Sequence, residues 1–213
     1  MLFSARDIVM LHHIVVGQVG MLDSDLLEGM FRLRNLVFNQ RLGWQVTSQN
    51  EQERDLYDEL DPTYLIAYND NRRVDGCWRF LPTTGKYMLN DIFATLLGAD
   101  SPPHDPTQWE LSRFAVRPQT KDNRRQAHMS MLTLQMAKAA FCFAQDQGIN
   151  QYVTVTSTAI ERMFRGLGIP MSRLGDGQPQ RIGTTSTVAC RIFLNDDYYI
   201  ALFGLPAAQS LAG

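Results

Sequence analysis

The chain has 213 residues and a formal net charge of -2, and 45% of its residues are hydrophobic while 20% are charged. This composition is that of an ordinary globular protein, and the length suffices for a single domain with a full core over residues 1–213. The charge excludes a uniformly basic nucleic-acid binder, and no segment approaches the roughly 20 apolar residues of a membrane span. We therefore expect a cytoplasmic protein without a signal peptide that binds neither nucleic acid nor membrane.

The N-terminal part of the chain predicts a strand followed by a helix. An apolar run at residues 8–16 predicts the strand, and Asp25 and Glu28 then have the spacing of a helix-capping pair. The buried face of the helix is predicted by four apolar residues at helical spacing: Leu26, Met30, Leu33 and Val37. Arg34 and Phe38 lie one turn apart on an adjacent face, so a cation and an aromatic ring can contact the same neighbour.

Between residues 39 and 61 the sequence becomes polar and acidic. A loop of about 20 residues without periodicity is uncommon in a compact domain and is usually functional or disordered. Trp44 and Tyr57 indicate an ordered loop that folds over something. Its carboxylates are Glu51, Glu53, Asp55, Asp58, Glu59 and Asp61. Carboxylates beside aromatic rings suit an organic cation and do not suit a phosphate.

A β-hairpin is predicted next, with strands at residues 64–68 and 74–81 joined by a polar turn. Arg79 lies in the second strand between two aromatic residues. The proline-rich residues 101–106 cannot be helical and lead into a further strand.

That strand, residues 109–116, carries a carboxylate, a hydroxyl and a guanidinium among apolar residues. Regular alternation would place Glu110 and Ser112 on one face and Arg113 on the other. The ordinary explanation of such a pattern is a structural ion pair. A β-bulge would instead let Glu110 and Arg113 face one cleft.

The C-terminal half of the chain adds two helices and three strands. A long helix ends at Gly148, with a buried stripe of Met129, Leu132, Met136, Ala140 and Phe143. The elements after it are a strand at 152–156, a helix at 158–167, a strand region at 181–194 and a short strand at 198–203. This order predicts an α/β (α+β) fold, with a single mixed, twisted sheet flanked by helices on both faces.

Metal, nucleotide and thiol chemistry have little support in the sequence. The four histidines lack the spacing of a zinc site, so no metal is expected. No phosphate-binding P-loop, dinucleotide-binding glycine motif or nucleophile elbow occurs. The three cysteines have neither metal nor redox spacing, and buried reduced thiols are predicted for all of them: Cys77, Cys142 and Cys190.

Four short motifs follow one another along the chain. They are Arg34-x-x-x-Phe38-x-x-x-x-x-Trp44, Asp55-x-x-Asp58, Gly76-Cys77-Trp78-Arg79 and Trp109-Glu110-Leu111-Ser112-Arg113-Phe114. In order and spacing they resemble the signatures of the acyl-homoserine lactone synthases, which make quorum-sensing autoinducers in Gram-negative bacteria. The resemblance runs from about Leu26 to Phe203, and it implies a fold similar to that of the GCN5-related N-acetyltransferases.

The resemblance also implies a two-substrate reaction. An acyl chain, carried as a thioester on acyl carrier protein, is transferred to the α-amine of S-adenosylmethionine. The product then cyclises to the lactone and releases methylthioadenosine. S-adenosylmethionine is a substrate in this reaction, so no cofactor is expected.

The residue types in the first motifs suit S-adenosylmethionine, which carries a sulfonium, an ammonium and a carboxylate. Asp55 and Asp58 can pair with its cationic groups, and Phe38 and Trp44 can cover its apolar faces. Arg34 can take its carboxylate.

The amine must lose a proton before it can attack, and Glu110 is the expected base, acting directly or through a water. Ser112 can orient a substrate. By the resemblance, Arg79 and Arg113 belong to the same polar cluster and position substrate, although a purely ion-pairing role for Arg79 stays open.

Two further sets of residues are expected to meet the acyl donor. Phe93 is predicted for the acyl pocket from the placement of its element. Thr154 and Thr156 are predicted for the same pocket because the resemblance associates a strand threonine with 3-oxo substrates. Since acyl carrier protein is acidic, a basic docking surface is expected, and it is assigned to Lys121, Arg124 and Arg125. A solvated basic turn is the alternative for these three residues.

Residues 117–125 contain no glycine, whereas an acetyltransferase pyrophosphate loop would need one there for its backbone N–H groups to approach the phosphates. An acyl-CoA-dependent N-acyltransferase is therefore the alternative enzyme, and a non-catalytic ligand-binding domain is the other alternative. Some members of the family take acyl-CoA, so a CoA donor stays open. A monomer is expected.

Overall fold

In the computed structural model, residues 12–118 and 124–204 are described, with the backbone alone described from residue 124 to 130. The helices are α1 Ser24–Arg34, α2 Met88–Asp91, α3 Arg124–Gln147, α4 Thr158–Gly166 and α5 Asp196–Phe203. The strands are β1 His13–Gln18, β2 Ser48–Gln49, β3 Gln52–Glu53, β4 Thr63–Tyr68, β5 Val74–Pro82, β6 Gln108–Val116, β7 Gln151–Ser157, β8 Met171–Arg173, β9 Gln180–Ile182 and β10 Thr185–Phe193.

One eight-stranded mixed sheet organises the fold. Its order is β1-β4-β5-β6-β7-β10-β8, with β9 beside β10, while β2 and β3 form a separate two-stranded ribbon. Neighbouring strands are antiparallel except β6 and β7, which are parallel. The hairpin predicted from the sequence is confirmed as β4 and β5.

Helices cover both faces of the sheet, as the sequence predicted. On one face, the apolar stripe of α1 packs in a buried cluster with residues of β4, β5 and β6, including Tyr64, Ile66, Cys77 and Ala115. On the other face, Leu132, Met136 and Ala140 of α3 belong to the largest buried cluster, together with residues of α5. Within the described ranges, no helix is both long and apolar enough to cross a membrane.

The parallel pair β6 and β7 is the feature that creates a site. Their pairing ends at Leu111 and Thr154, although β6 continues to Val116 and β7 to Ser157. The two strands therefore separate beyond these residues. A sheet that divides in this way has unpaired backbone and open space between the two strands, which is where a ligand can reach the middle of the fold.

The segment after α1 also departs from regular geometry. Residues 35–41 form a wider π-helical turn, Asn35–Arg41, that continues directly from α1. Turns of this kind are rare and occur often at functional sites. Here the turn carries Val37, Phe38 and Arg41, all of which line the cavity described below.

Three details of the sequence interpretation were wrong. The segment predicted as a last strand, residues 198–203, is the helix α5. The side chain of Asn195 caps this helix by accepting from the Tyr198 N–H at 3.2 Å. Tyr198 and Leu202, one turn apart, are buried against α3, and this packing overrides the β-propensity of the aromatic run.

The other two concern a helix end and a thiol. Helix α1 begins at Ser24 after Asp23, and no side chain caps it, so Asp25 and Glu28 are not its capping pair. Cys77 and Cys190 are buried and free as expected, but Cys142 is exposed. The short strand β8 and the ribbon of β2 and β3 were not predicted, because elements of two or three residues carry no usable periodicity.

Candidate functional site

A cavity of about 360 Å³ lies where β6 and β7 separate. One wall comes from the π-helical turn and the loop after it, and a second comes from β6. Residues of β7, α4, β9 and β10 complete the lining, together with Met88 and Phe93. The surface of the cavity is predominantly apolar, with a few polar groups, and this is the usual character of a small-molecule site.

A β-bulge at Arg113 aims the polar groups of β6 into this cavity. Cys77 pairs with Ala115 and Arg79 pairs with Ser112, so Trp78 alone stands opposite both Arg113 and Phe114. Arg113 has a φ of 57°, which an L residue seldom adopts. Because of the extra residue, Glu110, Ser112 and Arg113 all line the cavity. The sequence left a bulge and regular alternation as alternatives, and the structure has the bulge.

Glu110 is held at the floor of the site by the start of α2. Its carboxylate accepts hydrogen bonds from the backbone N–H groups of Met88 at 3.0 Å and Leu89 at 2.6 Å, and the residue is 1% exposed. Burial raises the pKa of the Glu110 carboxyl above its ordinary value, while these N–H groups and the nearby Arg79 and Arg113 act in the opposite direction. Glu110 thus caps a helix and also faces the cavity as a carboxylate that holds its proton more readily than usual.

Next to Glu110, three arginines and three carboxylates alternate in a closed ring. Going round it, the members are Glu53, Arg34, Asp58, Arg79, Asp55 and Arg113, and then Glu53 again. Round the ring each carboxylate bridges two guanidinium groups, and Arg34 also lies 3.9 Å from Asp55 across it. We call this set the charge ring. Its three positive and three negative groups cancel, which is how six charges can be buried together.

Arg34 and Asp58 form the doubly hydrogen-bonded pair of the charge ring. Arg34 donates to both oxygens of Asp58, each at 2.8 Å, and Tyr64 donates to the same carboxylate at 2.7 Å. Burial alone would raise the pKa of Asp58, but the hydrogen bonds and charge of Arg34, with the charge of Arg79, hold that pKa far below its ordinary value. Arg34 is fully buried and does not line the cavity. Its donors are directed to Asp58 and Glu53, and the predicted contact of Arg34 with a substrate carboxylate stays a prediction.

Arg79 and Asp55 connect the charge ring to β6. Arg79 donates to Asp55 at 2.5 Å and to Ser112 Oγ at 3.1 Å, and Arg113 approaches Asp55 to 2.6 Å. Asp55 also caps the short 3-10 helix that follows it, Leu56–Glu59. Its side chain is 15% exposed, against 4% for Asp58, so Asp55 is the more open of the two predicted aspartates.

The aromatic wall of the cavity is formed by Phe38 and Trp44. Their rings stack with centroids 5.2 Å apart, and the Arg113 guanidinium lies over the Phe38 ring at 5.5 Å. Trp44 Nε1 donates to Thr185 Oγ1 at 3.4 Å, which joins this wall to β10. A stacked aromatic pair beside a polar cluster can cover a cation or a flat heterocycle.

The residues predicted for the acyl donor are only partly brought together. Phe93 and Thr156 line the cavity, but Thr154 does not, because it stands at the last paired position of β7 opposite Leu111. Of the predicted docking residues, Lys121 lies outside the described residues. Arg124 and Arg125 begin α3, and their side chains are also outside the description.

Sequence reasoning did not assign a role to two residues of the site. Glu53 is fully buried and bridges Arg34 and Arg113. The available signal was its place in the acidic loop two residues before Asp55, where strand-like alternation would put both carboxylates on one side. Met88 lies with its Sδ 3.1 Å from Arg79 Nη2 and 3.2 Å from Arg113 Nη1, and no pattern in the sequence indicated this.

Residues 18–201 match the family model described as autoinducer synthase. An acyl-homoserine-lactone synthase of Aliivibrio fischeri is 42% identical over 175 residues, which cover 82% of this chain and 90% of that protein. The crystal structure of the synthase LasI superposes with a TM-score of 0.83 at 38% identity, covering 92% of this chain and 96% of that one.

Two other solved structures bear on the fold and the ligands of relatives. The CoA-dependent acyl-homoserine lactone synthase BjaI, solved with SAM and isopentyl-CoA, gives a TM-score of 0.76 at 30% identity, covering 91% of this chain and 87% of that one. An N-acetyltransferase from Lactobacillus plantarum gives a TM-score of 0.56 at 14% identity, which confirms the acetyltransferase-like fold. By the family match and the identity to its relatives, this chain belongs to the acyl-homoserine-lactone synthases, which are acyltransferases that make autoinducers.

Proposed function

We propose that this chain transfers an acyl group from acyl carrier protein to the α-amine of S-adenosylmethionine and then closes the lactone. In the first step the amine nitrogen attacks the thioester carbonyl, the amine loses a proton, and the thiol leaves with one. In the second step the methionine carboxylate attacks the carbon bonded to sulfonium, and that C–S bond breaks to release neutral methylthioadenosine. No cofactor is needed, because each step uses only the bonds of the two substrates.

The observation that carries the proposal is the composition of the cavity. One wall offers the stacked Phe38 and Trp44 beside the charge ring, and the floor offers the Glu110 carboxylate. The other side, formed by β7 and α4, is mainly apolar. A cationic acceptor and an apolar acyl chain can therefore lie on opposite sides of one carboxylate.

The residues divide into those that contact substrate and those that position them. We assign Glu110 as the base and Ser112 and Arg113 as the groups that orient the reacting atoms, since all three line the cavity. Phe38 and Trp44 cover the acceptor. Arg34, Asp55, Asp58 and Arg79 act through the charge ring, because their polar atoms are engaged with one another.

Acyl carrier protein is proposed over CoA as the donor on the strength of the sequence. Residues 117–125 lack the glycine that a phosphate-cradling loop requires, and they include the basic residues Lys121, Arg124 and Arg125. An acidic carrier would be attracted to such a segment. The relative BjaI is CoA-dependent, so the donor must be tested directly.

The test is turnover with S-adenosylmethionine and a series of acyl thioesters on acyl carrier protein and on CoA. We expect methylthioadenosine and acyl-homoserine lactone, identified by mass spectrometry, with the carrier-protein series giving the higher kcat/KM. Reversing the charge of Lys121, Arg124 and Arg125 together should lower kcat/KM for the carrier-protein donor about tenfold or more and leave the acyl-CoA reaction within twofold. No lactone with any donor would refute the synthase function, and a preference for CoA would refute the carrier.

Thr156 is the candidate hydrogen-bond donor to a 3-oxo group on the acyl chain. Because it lines the cavity, we expect Thr156→Val to lower kcat/KM for a 3-oxo donor about fivefold relative to the unsubstituted donor of equal length, the size of one lost hydrogen bond. Thr154→Val is the matched control, since Thr154 lies outside the cavity lining and its loss should leave that ratio unchanged. Equal ratios in wild type and Thr156→Val would exclude this role.

A further inference from the structure

We propose that Glu53 is a positioning residue that closes the charge ring and thereby sets the charge that the cavity presents to its substrate. This inference rests on the proposed function, because it concerns a cationic acceptor in that cavity. Glu53 does not line the cavity, so it acts through its two arginine partners and through its charge.

Glu53 is the carboxylate that hydrogen-bonds both Arg34 and Arg113. Its side chain is fully buried, and its two oxygens are divided between the partners. Oε2 accepts from Arg34 Nε at 2.5 Å, and Oε1 lies 3.1 Å from Nε and 3.0 Å from Nη2 of Arg113. Without Glu53, Arg34 on helix α1 and Arg113 on the bulge of β6 would be linked only through Asp55, which lies 3.9 Å from Arg34. Of the three arginines of the charge ring, Arg113 is the one that lines the cavity, so the loss of Glu53 would affect the cavity mainly through the position of Arg113.

The charge count gives the physical reason. The closed ring is neutral, so the ring and an ionised Glu110 together carry one net negative charge. Arg41 also lines the cavity, but it is exposed to solvent, which screens its charge. S-adenosylmethionine carries a sulfonium, an ammonium and a carboxylate, so its net charge is positive. Removing the charge of Glu53 would make the ring and Glu110 together neutral. The buried groups would then attract the cation less and would also favour the ionised form of Glu110.

The ionisation of Glu110 depends on all the groups that surround it. Arg79 from β5 and Arg113 from β6 act on it directly, as do the backbone N–H groups at the start of α2. Glu110 also interacts electrostatically with two phenols. They are those of Tyr57, in the short 3-10 helix, and Tyr87, the residue immediately before α2. Glu53 neutralises part of the charge of Arg113, and its loss is therefore transmitted to Glu110 through that residue.

The experiment compares Glu53→Gln, which removes the charge and nearly preserves the shape, with the wild type. We expect the KM for S-adenosylmethionine to rise roughly tenfold, the size expected for one unit charge about 10 Å away at an effective dielectric constant near 20. The acid limb of the pH profile of kcat should move about one pH unit lower for the same reason. Glu53→Asp, which keeps the charge, should retain the wild-type limb even if its kcat falls.

Glu59→Gln is the matched control, because Glu59 is an exposed carboxylate of the same loop. Neutralising it should leave both the KM and the acid limb within twofold of the wild type. If Glu53→Gln lowers only the thermal stability and moves neither quantity, Glu53 is merely structural and the inference is overturned. Calorimetric binding of S-adenosylmethionine alone is measured on the same proteins. If the wild type makes no lactone, that binding ratio still decides about Glu53 separately from the synthase function.

Discussion

Replacing Glu110 by glutamine should lower kcat by about a hundredfold to ten-thousandfold, the range of general base catalysis, while the affinity for S-adenosylmethionine falls only about tenfold, the size of one lost negative charge at the cavity. The amide keeps the size of the side chain but cannot take a proton from the amine. Turnover measured as methylthioadenosine release, together with calorimetric binding of S-adenosylmethionine, separates these two quantities. Equal losses in turnover and affinity would make Glu110 a binding residue.

The structure adds a complication that this experiment must control. Glu110 accepts two backbone N–H groups at the start of α2, and an amide can accept only through its oxygen. Some loss of stability, about 1–3 kcal/mol, is therefore expected along with the loss of catalysis. Glu161→Gln is the matched control, because Glu161 is also buried and paired with arginines but lies outside the cavity lining. It should lose stability and keep the wild-type kcat.

The pH profile supplies a second check on Glu110. A base works only when it is ionised, and burial raises the pKa of this carboxyl. Activity should therefore fall with decreasing pH already above the ordinary glutamate range near 4.3, by about tenfold per unit once below the pKa. In the Glu110→Gln variant, the residual activity should lack this dependence.

The parts of the site that could be predicted from the sequence are those with a short-range pattern. Phe38 and Trp44 lie in one motif, and Glu110, Ser112 and Arg113 lie in another. Once each motif is placed on a helix or strand, the residues within it are expected to lie close together. The hairpin, the long helix and the sheet flanked by helices follow from periodicity. Each of these is recognised from a pattern that is local in the sequence or from the order of such patterns along the chain.

The parts that could not be predicted depend on choices made in three dimensions. The acidic loop contains six carboxylates, and the sequence does not say which three will pair with arginines. The substrate contacts of Arg34 and Asp58 stay predictions, and the sequence could not show that these two side chains also pair with each other in the ring. The strand that contains the bulge at Arg113 has no glycine, so the sequence gives no sign that a bulge occurs there. The bulge is held by Glu53 and Asp55, which come from a distant part of the chain.

Replacing Arg34 by methionine should destabilise the fold by about 3–5 kcal/mol, because it leaves buried carboxylates without a partner. Arg34 is fully buried and donates three short hydrogen bonds, one to Glu53 and two to Asp58. The free energy of unfolding in urea measures the effect. Arg32→Met is the matched control on the same helix. Its partner Glu28 is one turn away and both side chains are more than half exposed, so the loss should stay below about 0.5 kcal/mol.

The same variant should also change how stability depends on pH. The folded-state pKa of Asp58 lies below its unfolded value, so its contribution is fully present above about pH 4 and is lost as the pH falls towards the folded-state pKa. Burial raises the pKa of Asp58, and the contacts with Arg34 oppose that effect. In the Arg34→Met variant these contacts are lost, so the pKa of Asp58 should rise. The wild type should therefore lose more stability than Arg34→Met between about pH 5 and pH 3. Parallel pH dependences for the two proteins would show that the Arg34–Asp58 pair does not carry the acid sensitivity of the fold.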